Sequence, residues 1–544
     1  MNSDGGRLVA KVLKQNGVKA LFTLSGEHIL PIYEGCLSEN IEIIDTRHEA
    51  AAAHAADAYA RLTRNIGVCA VTSGPGVTNA VTGVANAYFV KSPLVCLGGA
   101  APLNTSGQGA LQEMDQISIY RPITKWAGSI YKTEHIPRML THAIRIALTP
   151  PMGPVYIDLP KDILEGTSDV TIPLFTISPY ERIPEERSLK KLVHLIEKSK
   201  KPVLLCGSEA YWDKADKGLK NFVEQNDMPT FLNGMARGMV PNDHPLYFNL
   251  CRKKAFQESD LIIIAGTPLD FRLKFGASIP SNVPFVMISN DPTILGQNKD
   301  PLEGLSGNLH LIFEFLSNTK KSDRRGWIDN LRNIELDMKN QLLDKAKKPH
   351  KPMSSFLFIE AFNSALDKDD IIVADGGEIV TTAAKRIDLY KESHWLDPGP
   401  MGCLGVGAPF AIAAKWLNPD KNVIILYGDG SFGLNGFEFD TALRFNLPII
   451  GVVANDAQWK QVLQPQVNLY GSPVATKLLS TSYEKIVEGL GCYGFYVKTP
   501  EELIKTIKHA KTLNKPTLIN VPIDPDVEKM AHKENHLQHR KINL

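Results

Sequence analysis

Short runs of β-branched and aliphatic residues recur along the whole chain, each followed by a stretch of helix length. Among them are GVKALFTL, IEIIDT, IGVCAVTSG, PLVCLGG, PVYIDL, KPVLLCG, DLIIIAG, DIIVADGG, NVIILYGDG, LPIIGVVAND and PTLINVPI. Strands buried on both faces read as near-continuous apolar runs, and parallel strands need helical crossovers. The alternation therefore predicts an α/β architecture of doubly wound domains with parallel sheets. Two shifts of composition mark linkers, TIPLFTISPYERIPEERS at about 171–188 and LDKAKKPHKPMSS at about 343–355. They divide the 544 residues into three domains, 1–175, 188–342 and 355–544, which suits the length.

The balance of 60 basic against 59 acidic residues leaves no basic footprint for nucleic acid. Seven cysteines are scattered without a CxxC pair, which points to reduced thiols in a cytoplasmic protein, not to a disulfide framework or a zinc site. The stretch MNSDGGRLVAKVLKQNG has no apolar signal core, and no run approaches the roughly 18 apolar residues of a membrane span. Neither secretion nor a membrane is expected, and the partner is a small molecule.

One stretch carries chemistry on its face: LYGDGSFGLNGFEFDTALRFNLPIIGVVANDAQW. A buried strand ends at Gly428, so Asp429 stands at the carboxyl edge of the sheet and Gly430 and Ser431 open a turn. Backbone N–H groups exposed in such a turn cradle phosphate. The next strand ends at Asn455-Asp456, on the same edge. Two carboxylates beside a phosphate cradle suit Mg2+, which binds through one or two carboxylates plus phosphate oxygens. A similar Gly-rich turn after a strand, Ser73-Gly74-Pro75-Gly76, hints that the first and third domains are related units.

GDG followed, one helix and one strand later, by an Asn pair resembles the signature of thiamine diphosphate enzymes. The resemblance covers about residues 4–525 and implies that Asp429, Asp456 and the backbone carbonyl of Gln458 hold Mg2+, which grips the cofactor diphosphate. Here Asp456 replaces the usual second Asn and adds a negative charge beside that diphosphate. DTRHEAAAAHAADAYAR resembles the segment bearing the Glu that exchanges a proton with the aminopyrimidine ring, which falls on Glu49. VTSGPGVTNAVTGVANAYFVKSPLVCLGG resembles the next pyrimidine motif, with Asn79 and, upstream, Gly26 as cofactor contacts. LDPGPMGCLGVGAPFAIAAK resembles the segment that bends the cofactor, with the Gly402 carbonyl on the exocyclic amine and Leu404 wedged between the rings. Gly376, Gly377 and Glu378 would meet the diphosphate with Gly428, Gly430 and Ser431, and Trp459 would complete that wall. Pyrimidine and diphosphate halves on separate domains imply active sites between subunits of a homodimer or homotetramer.

Within the family, the sequence is most similar to benzaldehyde lyase and to the acetolactate-synthase-like 2-hydroxyacyl-CoA lyases. DTRHEAAAAHAA and PITKWAGSIYKTEHIPRMLTHAIR resemble the former; NGMARGMVPNDHPL, AGTPLDFRLKFG, WLDPGPMGCLGVGA and NDAQW resemble the latter. His28 matches an active-site His and Gln112 an active-site Gln. A lyase must deprotonate the substrate 2-hydroxyl, and a His suits that task. The resemblance thus implies a carbon–carbon lyase or carboligase for 2-hydroxyacyl-CoA or 2-hydroxy ketones. The rival is acetolactate synthase, whose substrate-carboxylate Arg falls on Arg272. Against it, that enzyme's paired Asp is Asp270-Phe271 here, its Met and Trp fall on Gln461 and Pro465, and it has Gly where His28 stands. A rival of another class is a catalytically silent scaffold, which would lose residues such as Glu49, Asp429 and Asp456. The middle domain has no intact GxGxxG, leaving FAD, ADP, CoA or nothing as its occupant. The basic tail HKENHLQHRKINL would either close over CoA phosphates or be a solvated end.

Overall fold

Parallel strands organise the computed structural model, which describes residues 3–172, 181–319, 323–347 and 351–525. The basic tail lies outside these residues, as do parts of both expected linkers. A two-residue strand β1 (Ser3–Asp4) pairs antiparallel with β8 (Thr167–Ser168) and ties the start of the first domain to its end. The first sheet holds β2 (Ala20–Thr23), β3 (Glu42–Asp45), β4 (Gly67–Val71), β5 (Leu94–Ala100), β6 (Trp126–Ser129) and β7 (Val155–Pro160), in the order β3-β2-β4-β5-β7-β6. The middle sheet holds β9 (Pro202–Cys206), β10 (Thr230–Leu232), β11 (Leu261–Ala265), β12 (Phe285–Ser289) and β13 (Glu303–Ser306), in the order β10-β9-β11-β12-β13. The third holds β14 (Ile371–Asp375), β15 (Trp395–Leu396), β16 (Val423–Gly428), β17 (Ile450–Asn455), β18 (Tyr493–Tyr496) and β19 (Thr517–Pro522), in the order β15-β14-β16-β17-β19-β18. All three sheets are parallel throughout. The first and third repeat one strand order, so their kinship extends well past a shared turn.

Every quoted apolar run forms a strand, and the central ones (β4, β9, β11 and β14) are buried along their whole length. Two Ala-rich helices, Glu49–Thr63 and Gly407–Leu417, join the first and third domains, and their small side chains merge the two sheets into one hydrophobic core. Arg61 pins this junction: it donates to Asp57 through Nε and Nη2 (2.9 and 2.6 Å), to the Asp397 carbonyl through Nη1 (2.6 Å), and lies over the Phe410 ring. The helix Arg325–Ala346 runs past the expected domain end at 342, because the Lys-rich segment there forms the last turn of a mostly solvated helix.

In an open parallel sheet, ligands sit beyond the carboxyl ends of the strands where the order reverses. Here those switch points fall between β2 and β4, between β9 and β11, and between β14 and β16.

Candidate active site

At the first switch point the loop after β2 meets the loop after β4. Gly26 packs so closely on Thr72 that a Cβ would stand 2.2 Å from the Thr72 Cβ. The same turn brings His28, in the 3-10 segment Glu27–Ile29, to Thr72, with Nδ1 3.0 Å from Oγ1. His28 is buried, and burial holds its imidazole below the usual histidine range; Glu27 pulls the other way and Lys161 adds to the depression. β3 ends at Asp45, and Glu49 opens the Ala-rich helix with His48 as its cap. Glu49 is buried, and its Oε2 accepts from Asn79 Nδ2 at 2.9 Å. Gly76 lies against both Thr72 and Glu49 Oε1, so the residue that fixes the imidazole and the carboxyl share one glycine neighbour. Gln112 arches over Gly74 in a left-handed conformation (φ 60°), and its carbonyl accepts from Ser73 Oγ at 2.7 Å.

The sequence reading did not single out Gln116, which is fully buried beneath this turn. Its Oε1 accepts from Gly74 N (2.7 Å) and Ser73 Oγ (3.1 Å), and its Nε2 donates to Asp158 Oδ1 (2.8 Å) and the Gly99 carbonyl (3.0 Å). Asp158 is pushed up to about 6 by burial. The network fixes the glycine turn on which Glu49 and Gln112 rest.

At the third switch point Gly428 closes β16 and Asp429 opens the helix Asp429–Asn435. Asp429 Oδ1 accepts from Gly430 N at 2.8 Å, whereas Oδ2 is buried with no hydrogen-bond partner. Ser431 Oγ donates to the carbonyls of Asp375 (2.7 Å) and Gly428 (2.8 Å), which locks the turn against β14. Gly376 and Gly377 follow β14; a Cβ on Gly376 would lie 3.1 Å from Gly428 N, and one on Gly377 would lie 2.9 Å from the Gln461 Cβ. Glu378 opens the next helix and accepts from Thr382 Oγ1 at 3.0 Å. β17 ends at Asn455, and Ala457 turns the chain through φ 56° after Asp456. Gln458 Nε2 is 3.4 Å from Asp456 Oδ2 and donates to the Pro525 carbonyl at 2.9 Å. The Trp459 ring covers Gly430, where a Cβ would meet it at 2.4 Å. Gly402 is exposed and left-handed (φ 70°), and Leu404, half-buried, precedes Gly405, whose N–H donates to Asp375 Oδ1 at 3.1 Å.

Burial pushes Asp429 up to about 6 and Asp456 up to about 7, the latter also through the charge of Asp429. Two desolvated carboxylates, one with a partnerless oxygen, are the donor set a hard cation needs, and a cation would return both to their ionised form. Among the described residues no three His, Cys, Asp or Glu gather as a metal cluster. A cation here would therefore draw further oxygens from a backbone carbonyl or a phosphate.

Arg272 belongs to neither rim. It forms a bidentate pair with Asp270 (Nη2–Oδ2 2.6 Å, Nε–Oδ1 3.1 Å) and lies beside a cationic patch of Arg237, Arg252 and Lys385. Burial, then the charges of Arg237 and Arg272, bring Arg252 down to about 10. Arg237 Nη1 donates to the Ala384 carbonyl (2.8 Å), so the patch lies along the helix Glu378–Arg386 that starts at the Gly376-Gly377 turn. The switch point of the middle sheet is acidic instead. Glu209 accepts from Ser289 Oγ (2.7 Å) and Asn290 N (3.0 Å), and Lys91 donates to Glu209 (3.3 Å) and Asp291 (3.0 Å). Asp213 beside them is pushed up to about 6 by burial.

Comparison with known proteins shows the family. The N-terminal TPP binding domain of thiamine pyrophosphate enzymes matches residues 3–119, their central domain 189–316 and their C-terminal TPP binding domain 375–521. A "Probable acetolactate synthase" of Mycobacterium bovis is 36% identical over 528 residues, covering 96% of each chain. Proteins named "2-hydroxyacyl-CoA lyase 2" are similar too: that of Caenorhabditis elegans is 35% identical over 538 residues (90% of this chain, 84% of the other). The human one is 34% identical over 571 residues (95% and 90%).

Proposed function

The chain belongs to the thiamine pyrophosphate enzyme family, and on that premise we propose that it is a Mg2+-dependent carbon–carbon lyase. Its substrate would be a 2-hydroxyacyl-CoA or a related 2-hydroxy ketone, cleaved to release an aldehyde or formed by the reverse condensation. The observation that carries this reading is the buried His28 imidazole, fixed by Thr72 on the same rim as the Glu49–Asn79 pair.

When bound, thiamine diphosphate supplies the electron sink that lets a C–C bond beside a hydroxyl break. Glu49 holds the proton that is exchanged with the aminopyrimidine ring, with Asn79 fixing its Oε2. His28 stays neutral at pH 7 and accepts the proton of the substrate hydroxyl as the bond breaks. Gln112 orients the substrate from the loop above, and Gly26 lets its loop close on Thr72. The Gly402 carbonyl and Leu404 would hold the ring end of the cofactor. Gly376, Gly377, Glu378, Gly428, Gly430, Ser431 and Trp459 form the diphosphate cradle, while Asp429, Asp456 and the Gln458 carbonyl hold Mg2+. The orphaned Asp429 Oδ2 supports the metal assignment.

The patch of Arg237, Arg252 and Lys385 suits CoA phosphates. The carboxylates at the middle switch point disfavour a nucleotide diphosphate there, so we place neither FAD nor ADP in the middle domain. Arg272 spends its guanidinium on Asp270, which weakens the acetolactate synthase reading. Exposed Phe89, Met401, Leu434 and Phe437 support a subunit interface, with a homodimer or homotetramer sharing active sites. Among the described residues no helix is long and apolar enough to cross a membrane, and seven free, buried thiols support a reducing, cytoplasmic setting.

Purified protein with Mg2+ and thiamine diphosphate, offered 2-hydroxyacyl-CoA, benzoin and pyruvate separately, tests the reading. Aldehyde release from the first or second is expected. Acetolactate from pyruvate without aldehyde release would make the chain a synthase, and a folded protein inert to all three would make it a scaffold or regulator.

A further inference from the structure

The Asn-Asp pair leaves a charge to be explained. Mg2+ held by one carboxylate and one amide retains a positive charge for the diphosphate; held by Asp429 and Asp456 it retains none. Lys460 stands one turn beyond Asp456, as the first residue of the helix Lys460–Tyr470. Its side chain is 16% exposed and its Nζ is buried without a hydrogen-bond partner, 3.8 Å from Asp456 Oδ2. That separation is too long for a hydrogen bond, so the ammonium is near the carboxylate yet its donors are not spent on it. A desolvated ammonium lacking acceptors is costly unless a ligand supplies them. On the same rim Asp429 Oδ2 is an orphaned acceptor, and the Trp459 ring closes the space over Gly430.

We propose that Lys460 is a ligand of the cofactor diphosphate whose charge offsets the additional carboxylate of Asp456. The inference rests on the reading that Mg2+ and thiamine diphosphate occupy this rim. Asp456 and Lys460 then form one device: the carboxylate strengthens the grip on Mg2+, and the ammonium restores the positive charge that the phosphate oxygens need. The device predicts that the two residues depend on each other.

The test is a double-mutant cycle on cofactor binding, read by Trp459 fluorescence and by calorimetry at fixed Mg2+ concentration. In the wild-type background Lys460→Met weakens thiamine diphosphate binding by about 10- to 100-fold, the range for losing a charge-assisted hydrogen bond. In the Asp456→Asn background the same substitution costs at least about 3-fold less, because the charge it answers is gone and only its bond to phosphate is lost. If Lys460→Met does not fold, Lys460→Gln takes its place in the cycle. Wild-type affinity in Lys460→Met, or an equal loss in both backgrounds, overturns the proposal while leaving the cofactor site intact. Failure of the wild-type protein to bind thiamine diphosphate with Mg2+ overturns the cofactor reading and this inference together.

Discussion

Replacing Asp429 by Asn should stabilise the cofactor-free protein and cripple cofactor binding at once. The carboxyl is 2% exposed and held at about 6 instead of its ordinary 3.8. Keeping it ionised above pH 7 therefore costs roughly 3 kcal/mol. The sign follows from the direction: a group raised in the folded state favours folding below its ordinary value, and that contribution is lost as pH climbs from about 4 through 6. The amide introduced by Asp429→Asn would keep the acceptor for Gly430 N but put an N–H2 group in the partnerless position of Oδ2, which returns about 1 kcal/mol. The net gain is about 2 kcal/mol at pH 7.5, or an apo melting temperature higher by about 4–8 °C, and it vanishes near pH 4. Losing a direct carboxylate ligand should cost at least the roughly 100-fold that outer-sphere changes reach at metal sites. Differential scanning fluorimetry across pH 4–8, with and without Mg2+ and thiamine diphosphate, reads both effects. A variant less stable than wild type at pH 7.5 without cofactor, or one still stabilised normally by Mg2+ and cofactor, would refute the reasoning.

Four further outcomes are expected. Glu49→Gln should bind cofactor yet slow hydrogen–deuterium exchange at the thiazolium C2 by at least about 100-fold, followed by NMR after acid quench; exchange at the wild-type rate would remove Glu49 from the proton path. His28→Ala should leave that exchange intact and lower aldehyde release by about 10²–10⁴-fold. Wild-type activity should persist on acidification below the usual histidine range, since burial lowers the imidazole. Arg61→Met should cost about 3–5 kcal/mol in urea unfolding, because it strands Asp57, which is fully buried.

The sequence made some of this legible for physical reasons and hid the rest. Asp429 and Asp456 could be placed because an apolar run ends abruptly before each, and such ends lie on the carboxyl edge of a parallel sheet. β6 and β18 carry no such run: they are half-buried or partly exposed edge strands, so little hydrophobic pattern marks them. In LQEMDQ both Gln112 and Gln116 look alike, and only the left-handed turn at Gln112 sends Gln116 beneath the glycine turn. Lys460 reads as a solvated helix start; the structure instead tucks its Nζ in beside Asp456. The cationic patch joins Arg237 and Arg252 to Lys385 across two domains, a proximity no local pattern records. The Lys-rich stretch before Ala346 reads as a linker because an exposed helical turn and a linker share a composition.

The repeated strand order explains why the two rims differ so sharply in chemistry while sharing one frame. In each sheet the loop after the first strand meets the loop after the third: His28 with Thr72 in one, Gly376 with Gly428 in the other. The frame fixes where backbone N–H groups and side chains converge, and the residues at those positions decide what they hold. In the third domain glycines bring backbone to the rim and the carboxylates stand behind it, which suits phosphate and a metal. In the first, Thr72, His28 and the Glu49–Asn79 pair bring side chains to the rim, which suits proton transfer. A cofactor with an anionic tail and a reactive ring needs one rim of each kind. Within one chain, Glu49 opens the helix that packs against Gly407–Leu417, and Glu438, just beyond the diphosphate turn, accepts from the Arg47 backbone N–H at 2.9 Å. The faces of the two domains that pack together in one chain are therefore already in use. If the proposed function holds, a ring held by Glu49 and a diphosphate held by Asp429 would belong to rims that meet across two chains, so sedimentation should show at least a dimer whenever aldehyde release is measurable, and a fully active monomer would break this last step.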